Sequence, residues 1–177
     1  MKKVIVSFVL FVTVCISAFA QNEVQENKFS FNAGPELGFA TGSFSGTHSV
    51  GFGGSAQAEY FVIDKLKATA TIGLLTYVGK SYISSTNYAA LRIIPLRLGA
   101  KYFLFKGLYG GAQMGVAFLG NFEPYNGTAF AYSPLMLGYE FTTKSNKSID
   151  ATIKYDAYTG TGAGTIGSFG IRLAYVF

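Results

Sequence analysis

From Lys28 onward the chain keeps a period of two, and it keeps it almost to the end. Phe29, Phe31, Ala33, Leu37 and Phe39 alternate with Lys28, Ser30, Asn32, Gly34, Glu36 and Gly38. Successive side chains of a strand point to opposite faces, so this alternation marks a strand with one apolar and one polar side. Seven further runs repeat the pattern, at 51–62, 66–78, 90–104, 108–118, 129–141, 148–158 and 164–177. Each is at least the ~9–11 residues that a tilted strand needs to cross a bilayer. No long apolar run occurs among them, so apolar residues spread along strands account for the hydrophobic content.

Charge sharpens this reading. The strand residues Glu36, Glu59, Lys67, Arg97, Lys101, Glu140, Asp150, Lys154, Asp156 and Arg172 each sit opposite their strand's apolar set. In the seventh run Asp150, Lys154 and Asp156 share one face, while Ile149, Ala151, Ile153, Tyr155 and Ala157 take the other. The connections alternate as well. Those at 63–65, 105–107 and 143–147 are tight, whereas those at 41–50, 79–89, 119–128 and 159–163 are mostly longer and rich in Ser, Thr, Gly and Asn. Short turns at one end and longer loops at the other characterise bacterial transmembrane barrels, with the short turns periplasmic. The predicted fold is all-β: an eight-stranded antiparallel up-and-down transmembrane barrel with both ends of the mature chain periplasmic.

The opening residues fit that destination. Met1-Lys2-Lys3 leads into an apolar stretch that closes on Ala18-Phe19-Ala20 before the polar Gln21-Asn22-Glu23. A basic start, a short apolar core and an A-x-A ending make a secretory signal peptide. Cleavage is expected between Ala20 and Gln21, giving a signal at 1–20, a short periplasmic lead-in at 21–27 and a barrel domain at 28–177. Cys15 is the only cysteine, so the mature chain holds neither a disulfide nor a thiolate metal site. Removing Lys2 and Lys3 leaves 12 basic residues against 9 acidic ones, unclustered. That is no nucleic-acid footprint.

A soluble lipocalin-like barrel shows the same alternation with its faces exchanged. Three features favour the membrane form. Small residues are frequent on both faces, as a narrow lumen requires. Phe29, Tyr60, Tyr102, Tyr139, Phe141 and Tyr175 gather at the inferred periplasmic rim, as an interfacial girdle does. The chain has no tryptophan, so the Gly-x-Trp common near a lipocalin's start is missing.

Pro35, Pro95 and Pro134 fall inside strands, where each removes a ladder donor. Around Pro134 the apolar phase shifts from Phe130 and Tyr132 to Leu135, Leu137 and Tyr139, and Ile93-Ile94 beside Pro95 suggests a similar slip. One extra residue in one strand does this, so β-bulges are expected at both.

The last strand carries Phe169, Ile171, Leu173, Tyr175 and Phe177 on its apolar face. This series looks like the C-terminal signal recognised by the barrel-assembly machinery, with Arg172 where a small residue is usual. Leu91-Arg92-Ile93-Ile94-Pro95-Leu96-Arg97-Leu98-Gly99-Ala100-Lys101-Tyr102-Phe103 resembles the "IPLLLKYYF" segment of the small bacterial outer-membrane β-barrel domain family, the OmpA/OmpX-type eight-stranded group. Gly110-Gly111-Ala112-Gln113-Met114-Gly115 stands where that family has a glycine-rich strand. The resemblance implies the fold and an outer-membrane location, and no catalytic residue.

Candidate chemistry is sparse. His48 is the only histidine, within Ser45-Gly46-Thr47-His48-Ser49. Serine with histidine could serve a lipid-modifying enzyme, but no carboxylate lies nearby and a solvated loop histidine is expected. Gly160-Thr161-Gly162-Ala163-Gly164 lacks the lysine and helix of a phosphate loop. Asn126-Gly127-Thr128 fits a glycosylation sequon of little meaning in a bacterium. No catalytic, cofactor or metal residue is assigned. The lumen charges are expected to pair into a plug, because eight strands leave a bore that side chains fill. Glu59 and Lys67 are expected to face each other about residue 63. Glu140 and Asp150 are expected to oppose each other about residue 145, relieved by Lys101, Lys154 or both. The functional expectation is a non-enzymatic, monomeric envelope protein in contact with outer-membrane lipid, exported and inserted by the secretion and assembly machineries. Its loops would meet an unidentified surface partner. A small pore and a lipid-modifying enzyme are the alternatives.

Overall fold

The computed structural model describes residues 28–83, 86–120, 127–142, 148–161 and 164–177. The signal peptide, its cleavage residues Ala18, Ala20 and Gln21, the lead-in, Asn126 and the turn at 143–147 lie outside the described residues. Strands β1 (Phe29–Thr41), β2 (His48–Ile63) and β3 (Leu66–Gly79) are followed by a small ribbon, β4 (Ser81–Ile83) with β5 (Thr86–Asn87). Then come β6 (Leu91–Phe103), β7 (Leu108–Gly120), β8 (Gly127–Thr142), β9 (Ser148–Thr161) and β10 (Gly164–Val176). Eight of these close into a barrel in the order β1-β10-β9-β8-β7-β6-β3-β2, each antiparallel to its neighbours. Closure leaves no free edge, so backbone groups at membrane depth are paired along the ladder.

Alternation decides which way each residue points. Along β3, Lys67, Thr69, Thr71, Gly73, Leu75 and Tyr77 are buried while Ala68, Ala70, Ile72, Leu74 and Val78 are exposed. The outer surface is an apolar band, with Phe31, Phe52, Leu98, Met114, Leu135 and Leu173 bare. Phe29, Tyr60, Tyr102, Tyr139, Phe141 and Tyr175 ring its short-turn end. Large apolar side chains outside and charges inside are the reverse of a water-soluble barrel.

The prolines behave differently from one another. At Ser133-Pro134 both ladders of β8 slip by one residue: Gly111 pairs Met136 but Gln113 pairs Ser133, and Tyr132 pairs Ala157 but Leu135 pairs Tyr155. β8 therefore holds the extra residue, and its inward set changes from 129, 131 and 133 to 136 and 138. Pro95, by contrast, has no bulge. β6 alternates strictly, and both of its ladders keep a single register. Leu91 and Ile93 face the lumen there, and Arg92 and Ile94 face out. Arg92 thereby breaks the expectation that strand charges face inward. Pro35 points outward, opposite Gly54 of β2.

Candidate functional site

The lumen divides into two differently filled halves. Toward the short turns it is charged. Glu59 lies at the centre, its Oε1 accepting from Asn32 Nδ2 at 2.7 Å, Gln57 Nε2 at 2.8 Å and Lys101 Nζ at 2.7 Å. Its Oε2 accepts from Lys67 Nζ at 2.8 Å. Lys101 continues to Asp150 at 2.5 Å, and Lys67 to Glu140 at 3.1 Å. Tyr109 donates to Asp150 Oδ1 at 2.6 Å, and its ring leans on Gly138, where an added Cβ would sit 2.3 Å away. Lys67 also stands over the rings of Phe61 and Phe103, at 4.6 and 5.1 Å from their centroids. These line a cleft of about 400 Å³ at the short-turn mouth.

One layer further in, Lys154 joins Glu36 at 2.5 Å to Asp156 at 3.2 Å. Asp156 also accepts from Ser133 Oγ and from Arg97 at 3.1 Å. Ser55 donates to Glu36 at 3.0 Å and accepts from Arg172 Nε at 2.7 Å. Arg172 Nη2 donates to Asn32 Oδ1 at 2.6 Å, which couples this layer to Glu59. Glu36, Glu59, Glu140, Asp150 and Asp156 stand against Lys67, Arg97, Lys101, Lys154 and Arg172. Five acids meet five bases, and the lumen charges balance.

One detail differs from the sequence expectation. Glu59 stands opposite Thr69, and Lys67 opposite Phe61, because the hairpin turns at Asp64–Lys65 and its ladder is centred on residue 64 instead of 63. Their ion pair is diagonal, made by the length of the lysine. Glu140 stands opposite Asp150 in the ladder, as expected, and of the two expected bases Lys101 bonds Asp150 while Lys154 turns to Glu36 and Asp156. Lys67 and Lys101 separate those two carboxylates.

Toward the long loops the lumen is apolar, which the sequence reading did not foresee. Leu75, Tyr77, Leu91, Ile93, Leu119, Ala131, Tyr158 and Ile166 form one buried cluster. Arg97 marks its lower boundary, with Nη2 donating to Tyr158 Oη at 2.6 Å. Tyr77 lies across Gly38 and Gly51, where a Cβ would come within 2.2 and 2.7 Å of it, and donates to Ser168 at 2.8 Å. The expected loop at 41–50 contributes a 3-10 helix, Gly42–Gly46, whose Phe44 is buried against this cluster. Phe44 packs edge-on to Tyr77 at 5.1 Å and stacks on His48 at 4.7 Å.

His48 is therefore not a solvated loop residue. It is fully buried. Its Nε2 lies 3.2 Å from Ala89 O, a carbonyl that can only accept, so that nitrogen carries the proton. Nδ1 then accepts from Thr47 Oγ1 at 2.9 Å. Ser45 Oγ donates to Gly42 O at 2.7 Å, so the serine and histidine are not aligned as nucleophile and base. Gly160 and Gly164, at φ +113° and +90°, shape the connection between β9 and β10. Phe169, Ile171, Leu173, Tyr175 and Phe177 are all exposed on the outer surface.

Comparison with solved structures agrees with this architecture. Neisserial surface protein A matches over 84% of this chain and 95% of its own, with a TM-score of 0.61 and 18% identity. The outer membrane protein Ail of Yersinia pestis, in a phospholipid bilayer nanodisc, matches over 86% of this chain and 100% of its own, with a TM-score of 0.51 and 15% identity. The chain has the fold of a small outer-membrane β-barrel. No family model and no curated protein matches it.

The polar network also holds Asn32, Ser55, Gln57, Tyr109 and Gln113, the last donating to Thr69 at 3.1 Å and Thr71 at 2.9 Å, and none of these was expected in it from the sequence. The first three share strand parity with Glu36 or Glu59, which was a usable signal. Tyr109 carries no such signal, because an aromatic side chain on a barrel strand suits the lipid face as well as the lumen.

Proposed function

We propose that this protein is a non-enzymatic integral protein of the bacterial outer membrane whose lumen is closed, and that it serves the envelope through its outer surface and loops. The observation that carries the closed lumen is its filling: balanced buried charges below, and an apolar cluster capped by Phe44 above. An ion crossing it would have to strip its hydration in the apolar half, where the few polar groups, such as the hydroxyls of Tyr77, Ser168 and Tyr158, are already engaged with protein partners. Eight strands leave little bore beyond what side chains occupy. Purified barrel in a planar bilayer should give no steady single-channel conductance in 1 M salt. Reproducible conductance steps that vanish in a heat-unfolded control would reject the closed lumen.

The outward series Phe169, Ile171, Leu173, Tyr175 and Phe177 serves in this reading as the signal for the assembly machinery. Deleting Phe177 should lower the yield of heat-modifiable barrel in the outer membrane severalfold. An unchanged yield would remove that role.

A further inference from the structure

Among the described residues, Arg92 is the one charged side chain on the outward face of a barrel strand. Its neighbours across the ladder are Thr76 of β3 and Gly120 of β7. Below it on β6 the outward residues Ile94, Leu96, Leu98 and Ala100 are uncharged, down to Tyr102 of the short-turn girdle. Ten residues separate Tyr102 from Arg92, or ~33 Å at ~3.3 Å per residue. At a strand tilt of ~40° this projects to ~25 Å, the height of the apolar band of such barrels. Arg92 therefore lies at the headgroup level of the leaflet on the long-loop side, where an outward cation costs little.

Beside Arg92 is a notch of about 140 Å³ lined by Ile94, Phe118, Leu119 and Gly120. The notch exists because residue 120 has no side chain, and a Cβ there would meet nothing within 4 Å. Lys80, the other base on this side, is turned to the carbonyl of Ser45 at 2.6 Å. An apolar notch below a guanidinium fits an amphiphile with an anionic headgroup, and the planar guanidinium fork suits a phosphate.

We propose that Arg92 and this notch seat a phosphorylated glycolipid of the outer leaflet, phosphate on the guanidinium and an acyl chain along Ile94 and Phe118. The seat is on the outer wall, and of its lining only Leu119 also belongs to the lumen cluster, so a conducting lumen would leave it standing.

The test uses folded full-length mature barrel in three kinds of vesicle: phosphatidylcholine alone, phosphatidylcholine with bisphosphorylated lipid A, and phosphatidylcholine with phosphatidylglycerol at matched charge. The readout is the temperature at which the heat-modifiable gel form is lost. Lipid A should raise this midpoint by roughly 5 °C at saturation, and phosphatidylglycerol by less than half as much. Arg92→Gln should lose at least half of the lipid A rise, and Arg92→Lys should keep part of it. Gly120→Leu, which fills the notch and leaves Arg92 in place, should lose as much as Arg92→Gln. It also supplies the result if Arg92→Gln folds poorly. A full rise in both Arg92→Gln and Gly120→Leu would overturn the seat. An equal rise from phosphatidylglycerol would overturn the assignment to the glycolipid.

Discussion

The two halves of the lumen fill one bore by opposite means. The half near the short turns holds ten acidic and basic side chains whose positions depend on one another: Glu59 alone collects Lys67, Lys101, Asn32 and Gln57. The half near the long loops holds Leu75, Tyr77, Leu91, Ile93 and Phe44 in ordinary apolar contact. A charged filling tolerates the gaps and water that a periplasmic mouth admits, but each member must keep its partner. An apolar filling excludes water and asks only for volume and shape. On the closed-lumen proposal, the protein thus places its costly, specific filling where the barrel opens to the cleft, and its seal toward the long loops.

The largest effect should come from removing the hub of the charged half. Glu59→Ala leaves Lys67 and Lys101 buried with one carboxylate each, and breaking a buried pair typically costs ~3–5 kcal/mol. Urea unfolding in lipid vesicles should show a loss of that order. Adding Lys67→Ala should cost less than the sum of the single losses, since it removes a cation that Glu59→Ala has stranded. Additive losses would show the diagonal Glu59–Lys67 pair to be absent in the bilayer.

The apolar half should respond by simple volume. Phe44→Ala removes a fully buried ring, and such truncations cost ~3–5 kcal/mol in a rigid core. Phe44 sits on a short 3-10 helix that can settle inward, so ~2–3 kcal/mol is expected here. The barrel should stay electrically silent, because Tyr77, Leu91 and Ile93 still close the bore beneath it. Conductance in Phe44→Ala would make this residue the sole seal and end the picture of a filled upper half.

The strands were legible because membrane barrels write apolar and polar residues on alternate positions, and the ten inward charges keep that parity. The upper lumen was not legible for the same reason. Where Leu91 and Ile93 face in and Ile94 and Leu96 face out, both faces are apolar and alternation carries no sign. The run Ile93-Ile94 then imitates the phase slip of a bulge, while the true slip at Pro134 shows itself because its flanks, Tyr132 and Leu135, are both outward. Ion pairs were legible only to within the reach of a lysine. A turn centred on residue 63 puts Lys67 opposite Glu59, and the actual centre at 64 moves it two residues along without breaking the contact. Phe44 and His48 lay beyond this reasoning, since nothing in a Ser- and Gly-rich loop says that it folds back into the bore.

The smallest effect should mark the edge of the charged half. Glu140 is the least buried of the five acids, its side chain 17% exposed, and among the described residues its ion-pair partner is Lys67 at 3.1 Å. Lys67 keeps Glu59 when Glu140 is neutralised, and the cleft gives water access to what remains. Glu140→Gln also keeps an oxygen that can accept from Lys67, and it relieves the like charge of Asp150 across the ladder. A half-wet pair of this kind is worth at most ~1 kcal/mol, so Glu140→Gln should lie within about 1 kcal/mol of wild type in the same urea assay. Asp150→Asn, a residue opposite Glu140 but buried and held by Lys101 and Tyr109, should cost clearly more. If the two substitutions cost the same, depth in the lumen does not set the worth of its charges. The contrast between a wet mouth and a dry interior would then have to be redrawn inside the charged half itself.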